Sequence, residues 1–319
     1  MVTALEVLNL VKCYGKRRAL DGLTLRIPRY SVTGLVGSNG AGKTTLMMTV
    51  AGFLKPTAGT INLLGNGPFD ADVHGGRFAI LPQDSELPLT SSPLELLIHY
   101  GRLQGLSLEA ATKSASNILE TVNLSDRAKS SIRSLSHGMR KRIMAAQCFL
   151  GTPELILLDE PLNGLDPREA ARMRDFIAQR KREQTIVISS HNLNDIEQLC
   201  DHVAFIEQGK TVRFGPIATI TRKASVMVYQ LSTPPVDLTL FKPLLGEGGS
   251  LNFNPQTNTL TCHTVEETLS PEELNRRMVP LLLSTCGLLT ISQGNSLEDE
   301  YLKQTVEVLH ATRGCDFTS

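Results

Sequence analysis

The first 30 residues alternate between apolar and polar positions, most clearly over residues 5–10 and 23–27. Successive side chains of a strand point to opposite faces of a sheet, so this period of two predicts half-buried antiparallel strands. Residues 60–64 repeat the pattern and lead into the turn-forming sequence Gly65-Asn66-Gly67. The pattern therefore predicts a small antiparallel sheet.

From Pro93 onward the apolar period lengthens to three or four residues, which predicts helices. Further along, apolar and β-branched runs at residues 155–158 and 185–189 are separated by a helical pattern over residues 167–181. Alternation of strands and helices is typical of an α/β fold with a mainly parallel sheet covered by helices. The apolar positions of the first helical region are Leu94, Leu97, Ile98, Ile118, Leu119 and Val122.

The chain changes in character around Phe214-Gly215-Pro216. Strand-like segments at residues 226–231, 259–263 and 288–292 accompany a helix that the sequence Ser270-Pro271-Glu272-Glu273 predicts to start there. The Gly- and Asn-rich residues 246–258 are interpreted as turns. We expect a small α+β domain over residues 224–319.

Composition is that of an ordinary globular protein of 319 residues, with 41% hydrophobic and 20% charged residues, which is enough for two domains. The 32 basic and 32 acidic residues cancel, which argues against a strongly basic nucleic-acid binder. We interpret the basic run Arg140-Lys141-Arg142 as a solvated helix face.

Cysteine spacing and hydropathy limit the compartments that fit the chain. Six cysteines, at positions 13, 148, 200, 262, 286 and 315, form no C-x-x-C pair and are expected to be reduced thiols of a cytosolic protein. Polar residues such as Glu6, Asn9 and Lys12 interrupt the early apolar positions, so no signal peptide is expected. No apolar stretch is long enough to predict a transmembrane helix.

The glycine-rich segment from Gly37 to Thr44 is the clearest functional motif in the sequence. It follows the apolar residues 32–36, precedes a helix-favouring stretch that starts at Thr45, and fits the pattern G-x-x-x-x-G-K-[ST]. Such a loop turns backbone N–H groups toward phosphate oxygens, while its lysine reaches the β- and γ-phosphates and its last hydroxyl binds Mg²⁺. The alternative is a glycine-rich turn that happens to contain a lysine. The residues assigned to phosphate binding are Gly37, Ser38, Asn39, Gly40, Ala41, Gly42, Lys43, Thr44 and Thr45.

Two acids follow the predicted strand at residues 155–158. In a phosphate-loop site an aspartate in this place holds Mg²⁺, and we assign that role to Asp159. Hydrolysis also needs a group that orients and deprotonates the attacking water, and Glu160 is placed for it. The alternative is a carboxylate that caps the turn at Pro161.

With these motifs in order, residues 1 to about 220 resemble the nucleotide-binding subunit of an ATP-binding cassette (ABC) transporter. The resemblance implies a P-loop NTPase (RecA-like) core with an antiparallel β subdomain and a helical subdomain at about residues 88–150. It also implies roles for further residues. Tyr14 would stack on adenine, Gln83 would touch Mg²⁺ and the attacking water, Asn163-Gly164-Leu165-Asp166 would cross a dimer interface, and His191 would sense the γ-phosphate.

The sequence Leu135-Ser136-His137-Gly138-Met139 resembles the signature motif of the same family. In that family Ser136 and Gly138 would bind the ATP held by a second cassette, so the resemblance implies a dimer around two ATP molecules. The commonest form of the motif is Leu-Ser-Gly-Gly-Gln, and Met139 in place of glutamine resembles the drug, polysaccharide and lipid-conjugate exporters. The last predicted helix, residues 296–302, resembles the same group.

The resemblance therefore implies an ATP- and Mg²⁺-dependent ATPase that drives a separate integral membrane permease. Such a chain would lie at the cytoplasmic face of the membrane, attached through the permease, and would bind no nucleic acid. Two alternatives are a soluble ABC ATPase acting on ribosomes or DNA repair, and a regulatory module that binds ATP without hydrolysis. The single cassette without heptads disfavours the former, and the presence of Glu160 disfavours the latter.

Overall fold

The computed structural model of the chain describes residues 2–221, 225–235, 237–246, 248–264 and 269–293. Contacts divide the chain into two compact units, one ending at Pro216 and the other beginning at Ile217. The helix predicted at residues 296–302 and Cys315 lie outside the described residues. Each unit has its own core.

The predicted antiparallel sheet is present at the start of the first unit. Strand β1 (Thr3–Tyr14) pairs with β2 (Arg17–Pro28) on one side and with β4 (Ala58–Leu63) on the other, both in antiparallel orientation. The buried positions alternate with exposed ones along β2, as the sequence pattern requires.

A six-stranded sheet forms the centre of the first unit, in the order β5-β6-β7-β3-β8-β9. All neighbouring strands are parallel except β9, which is antiparallel to β8. Every residue of β3, β6 and β7 is buried, as expected for parallel strands with both faces covered. The predicted mainly parallel sheet is confirmed. The strands are β3 (Val32–Val36), β5 (Phe78–Leu81), β6 (Leu155–Asp159), β7 (Thr185–Ser189), β8 (His202–Glu207) and β9 (Lys210–Pro216).

Helices of the first unit begin at local sequence signals. Ser92 and Glu95 form a capping box at the start of α3, where Pro93 is the first residue, and Asp166 accepts the N–H groups of the second and third residues of α6. These caps satisfy N–H groups that a helix leaves unpaired at its start. The helices are α1 (Lys43–Val50), α2 (Ala71–His74), α3 (Pro93–Leu103), α4 (Leu108–Thr121), α5 (His137–Gln147), α6 (Pro167–Ala178) and α7 (Leu193–Leu199), with short 3₁₀ turns at Ser125–Arg127 and Ile132–Ser134.

The sheet topology determines where functional side chains meet. Because β3, β6, β7 and β8 run parallel, their carboxyl ends lie at one edge of the sheet. The register places Val36 beside Phe205 and Asp159 beside Ser189. Ligands of open α/β sheets bind at this edge.

The second unit holds a four-stranded antiparallel sheet in the order β11-β12-β10-β13. Its core includes Tyr229, whose hydroxyl donates to Asn275 Oδ1 at 2.8 Å. Ser270 caps the predicted helix by accepting the N–H of Glu273. The elements are α8 (Ile217–Thr221), β10 (Ser225–Leu231), β11 (Ser250–Asn254), β12 (Thr259–Thr264), α9 (Pro271–Thr285) and β13 (Leu288–Gln293), with 3₁₀ turns at Leu238–Leu240 and Lys242–Leu245.

The interpretation of residues 246–258 as turns is wrong, because β11 lies within them. Leu251 and Phe253 alternate with exposed residues and pack half-buried against the core, while β11 pairs with β12. A strand with one solvated face tolerates Ser and Asn at its exposed positions. The polar composition of residues 246–258 therefore hid the alternation of polar and apolar positions in β11.

Among the described residues, no helix is both long and apolar enough to cross a membrane. The residues 279–291, which are the most apolar late stretch of the sequence, belong partly to α9 and partly to β13.

Candidate active site

The glycine-rich loop joins β3 to α1 and turns where only glycine fits. A side chain at Gly37 would place its Cβ 2.1 Å from the carbonyl oxygen of Ile206. Gly42, the N-cap of α1, has a φ of 113°, a conformation that other residues rarely adopt. The loop can therefore curl tightly and direct the first turn of α1 at a ligand, as a phosphate loop does.

Lys43 is buried, with 7% of its surface exposed, and its Nζ donates to the carbonyl oxygens of Gly37 at 2.8 Å and Ser38 at 3.1 Å. Burial lowers the pKa of Lys43, and the nearby carboxylates of Glu160, Asp159 and Glu207 partly offset that shift. The ammonium group is thus held at the loop, where a polyanion would relieve the cost of its burial.

The loop, β2 and the ends of β5 and β6 enclose a cavity of about 300 Å³. Most of the residues assigned to nucleotide and metal binding line it, together with two that sequence reasoning missed, Arg17 and Ala19. Tyr14 belongs to the lining and is 48% exposed, and Lys12 Nζ lies over its ring, 5.4 Å from the centroid. The lining residues are Tyr14, Arg17, Ala19, Asn39, Gly40, Gly42, Lys43, Thr44, Thr45, Gln83, Asp159 and Glu160.

Asp159 and Glu160 emerge from β6 and are held by one serine of the neighbouring strand. Ser189 Oγ donates to Asp159 Oδ1 and accepts the backbone N–H of Glu160 at 2.8 Å. Glu160 has a φ of 52°, an uncommon value for a residue other than glycine. The serine and the turn together direct the two carboxylates to different partners.

The cavity contains oxygen ligands suited to Mg²⁺. Asp159 Oδ2 is buried and makes no hydrogen bond, and a buried oxygen of this kind costs free energy unless something binds it. Thr44 Oγ1 lies 3.5 Å from Gln83 Oε1 in the same cavity. Mg²⁺ binds a few protein oxygens and takes its remaining ligands from water and phosphate, so these three residues fit it. In the described residues no group of three or more His, Cys, Asp or Glu forms a separate metal site.

His191 is not part of the cavity lining, but its side chain contacts Glu160, the candidate general base. His191 Nδ1 is 2.9 Å from Glu160 Oε2. The Glu160 side chain is 10% exposed, whereas that of His191 is 58% exposed. The histidine therefore holds the glutamate from the solvent side, where a second cavity lined by Glu160, Asn163 and Gly164 opens.

The signature residues lie apart from the cavity of their own chain. Ser136 is exposed and caps α5, with its Oγ accepting the N–H of Met139 at 3.2 Å. Gly138 follows in the first turn of the same helix, and neither residue lines the cavity. The start of α5 is thus a separate place where N–H groups and a serine face outward.

The interpretation of the basic run as a solvated helix face is wrong for Arg142. Its side chain is 5% exposed, pairs with Glu169 at 2.6 Å and donates to the carbonyl oxygen of Val122. Lys141 Nζ donates to the carbonyl oxygen of Asn163. The pair with Glu169 joins α5 to α6, and the Lys141 contact joins α5 to the segment at residues 163–166.

Four residues that support the site were not found from the sequence. Arg17 sits in no motif, Ser189 precedes His191 by two residues but was given no role of its own, and Ala19 is an ordinary residue of a strand. Glu207 ends β8 and accepts two hydrogen bonds from Ser38 in the glycine-rich loop. The only signal was the polar residue at the end of an apolar strand, which Ser189 and Glu207 share with Asp159.

Comparison with known proteins agrees with this geometry. A family model described as "ABC transporter" matches residues 20–163. Over 310 residues the chain is 31% identical to the Nod factor export ATP-binding protein I of Burkholderia lata, an alignment that covers 95% of this chain and 97% of that protein. It is 32% identical over 214 residues to the linearmycin resistance ATP-binding protein LnrL of Bacillus subtilis, covering 66% of this chain and 68% of that protein.

Among solved structures, cbiO1 from Clostridium perfringens, part of the ABC transporter complex cbiONQ, matches with a TM-score of 0.62 and 27% identity. The match covers 69% of this chain and 91% of that one. The chain therefore belongs to the ATP-binding proteins of ABC transporters, a family of cassettes that hydrolyse ATP.

Proposed function

We propose that this ATPase powers an exporter, that it works as a dimer around two ATP molecules, and that a separate integral membrane permease carries the substrate. One observation supports the dimer: the cavity at Lys43 is separate, on one chain, from the signature residues, of which Ser136 is exposed and Gly138 is half-buried. Two chains packed head to tail would bring each cavity against the partner's signature. Each ATP would then be held by both chains.

The residues of the cavity have distinct proposed roles. Tyr14 stacks on adenine, and Lys43 exchanges its two loop carbonyls for the β- and γ-phosphates. Thr44, Gln83 and Asp159 hold Mg²⁺, which when bound would neutralise charge on the phosphates. The loop residues between Gly37 and Thr45 supply N–H groups to the phosphates.

Glu160 is the proposed general base. Its carboxylate faces the cavity and would accept a proton from the water that attacks the γ-phosphate. The contact with His191 fixes the orientation of that carboxylate, and the exposed face of His191 remains free to meet the γ-phosphate when the dimer closes. Release of phosphate removes what both chains share, so the dimer opens and the permease responds.

We place the ATPase domain at residues 1–220, with its helical subdomain at about 88–150, and an accessory domain at residues 224–319. The chain would lie at the cytoplasmic face of the membrane through the permease. Export is supported by two relatives, the Nod factor export ATP-binding protein I and the linearmycin resistance ATP-binding protein LnrL. It is also supported by Met139 in the signature.

The test is purification of the native complex from mild detergent, using a tagged chain expressed with its neighbouring genes. We expect an integral membrane protein to be retained in a fixed ratio and to stimulate ATP hydrolysis. The Lys43→Ala variant is the matched control, since it should keep the membrane partner and lose turnover. A chain that hydrolyses ATP but retains no membrane protein would contradict the permease assignment and leave the ATPase intact.

A further inference from the structure

The turn between β8 and β9 grips the glycine-rich loop from outside the nucleotide cavity. Glu207 Oε1 accepts the backbone N–H of Ser38 at 2.9 Å, and Glu207 Oε2 accepts the Ser38 hydroxyl at 2.8 Å. Two residues later, the N–H of Gly209 donates to the carbonyl oxygen of Ala41 at 2.9 Å. The loop is therefore held near both of its ends by one short turn.

The turn between β8 and β9 is a tight hairpin turn. Gln208 and Gly209 both have positive φ, 48° and 75°, which is the conformation of a two-residue type I′ hairpin turn. The carbonyl oxygen of Gly209 accepts the N–H of Asp21 at 2.9 Å, and a Cβ at Gly209 would lie 2.7 Å from the carbonyl oxygen of Ala19. The turn thus connects the phosphate loop to the strand β2, which lines the opposite wall of the cavity.

The carboxylate of Glu207 is unexpected so close to a site for a polyphosphate. Glu207 is 8% exposed, and its negative charge is close enough to raise the pKa of Lys43 against the effect of burial. A site for a polyphosphate loses affinity when it contains an extra negative charge. The two hydrogen bonds to Ser38 supply a geometric gain that offsets that loss.

We propose that Glu207 is a positioning residue, which holds the phosphate loop in the shape that binds phosphate; this role rests on the nucleotide site proposed above. Through Ser38, the carboxylate fixes the loop at its second residue, next to the carbonyl oxygens that hold Lys43. It touches no nucleotide. Removing the whole Glu207 side chain should loosen the loop and weaken ATP binding. Removing only its negative charge should strengthen ATP binding or leave it unchanged.

Two variants separate those effects. Glu207→Ala removes both hydrogen bonds, and we expect the KM for ATP to rise about tenfold, equivalent to about 1.4 kcal/mol, with kcat changed less than about threefold. Glu207→Gln keeps an oxygen that accepts the Ser38 N–H and removes the charge, so its KM should equal that of the parent or fall. Glu197→Ala, which removes an exposed acid of α7, should change neither constant.

The measurements are steady-state kinetics, ATP affinity by titration, and the unfolding midpoint without nucleotide. A parental KM for Glu207→Ala would overturn the proposal, as would an equal loss in Glu207→Gln, since charge would then matter and geometry would not. If Glu207→Ala fails to fold, the test rests on Glu207→Gln, and a KM for ATP above that of the parent would overturn the proposal. Lys43→Ala is the reference: if it bound ATP as tightly as the parent, the nucleotide site itself would be misassigned.

Discussion

Replacing Glu160 by glutamine tests the chemistry of the site with little change in shape. The two side chains have the same length, and the amide of the new glutamine would still reach His191, which lies 2.9 Å from the glutamate oxygen in the parent. The backbone N–H that Ser189 holds is untouched. The Glu160→Gln variant loses the ability to accept a proton from water.

The magnitude follows from that single loss. A positioned general base accelerates a reaction about 10²- to 10⁴-fold, which corresponds to about 2.7 to 5.5 kcal/mol of activation free energy. We expect kcat of Glu160→Gln to fall within that range while ATP affinity is retained. His191→Ala keeps the base but loses the hydrogen bond to Glu160 and the proposed contact with the γ-phosphate, so its kcat should fall at least about tenfold.

The assay is phosphate release at saturating ATP, with the membrane partner present, and ATP binding measured separately. Glu197→Gln, a substitution of the same kind at an exposed position of α7, is the matched control. If Glu160→Gln turned over ATP at the parental rate, Glu160 could not be the base. A joint loss of binding and turnover would also contradict the reasoning, because it would assign Glu160 to nucleotide affinity.

Two further predictions concern paired arginines with different surroundings. Arg17 lines the cavity beside Gly40, so Arg17→Ala should raise the Kd for ATP about fivefold. Arg18→Ala loses the surface pair with Asp21 and should leave the Kd unchanged. Equal effects of the two substitutions in a binding titration would refute this prediction. Arg142 and Arg172 contact the same carboxylate from a buried and an exposed position. In urea unfolding, Arg142→Ala should cost about 3 kcal/mol and Arg172→Ala less than about 1 kcal/mol, and equal costs would contradict the importance of burial.

The parts of the structure that repeat locally could be predicted from the sequence. Strand alternation near Leu5 and the fully apolar run before Asp159 each reflect a face or a core that the strand itself must fill. The phosphate loop was also predictable, because Gly37 has no room for a side chain and Gly42 has a positive φ that other residues rarely adopt. The positions of the loop, Gln83 and both acids in one cavity follow once the strands are parallel.

The remaining features depend on contacts between distant segments. Ser38 and Glu207 are 169 residues apart, and only the pairing of β3 with β8 brings them together. Arg142 is buried because Glu169 lies opposite, on a helix that the local pattern of α5 does not reveal. In each case the deciding fact is which residue faces the side chain across the fold, and no short sequence window contains it.

The central claim is that each ATP is bound between the cavity of one chain and the signature of another. It is tested most directly by the mass of the purified Glu160→Gln variant in solution, with ATP and Mg²⁺ and then without them. The account predicts twice the chain mass of 34.8 kDa with ATP and a single chain mass without it. Adding Ser136→Asp, which keeps a helix-capping oxygen but sets a negative charge against the partner's phosphates, should return the ATP-bound protein to the single mass. A variant that binds ATP and remains a single chain, or a dimer that Ser136→Asp leaves intact, would contradict the account.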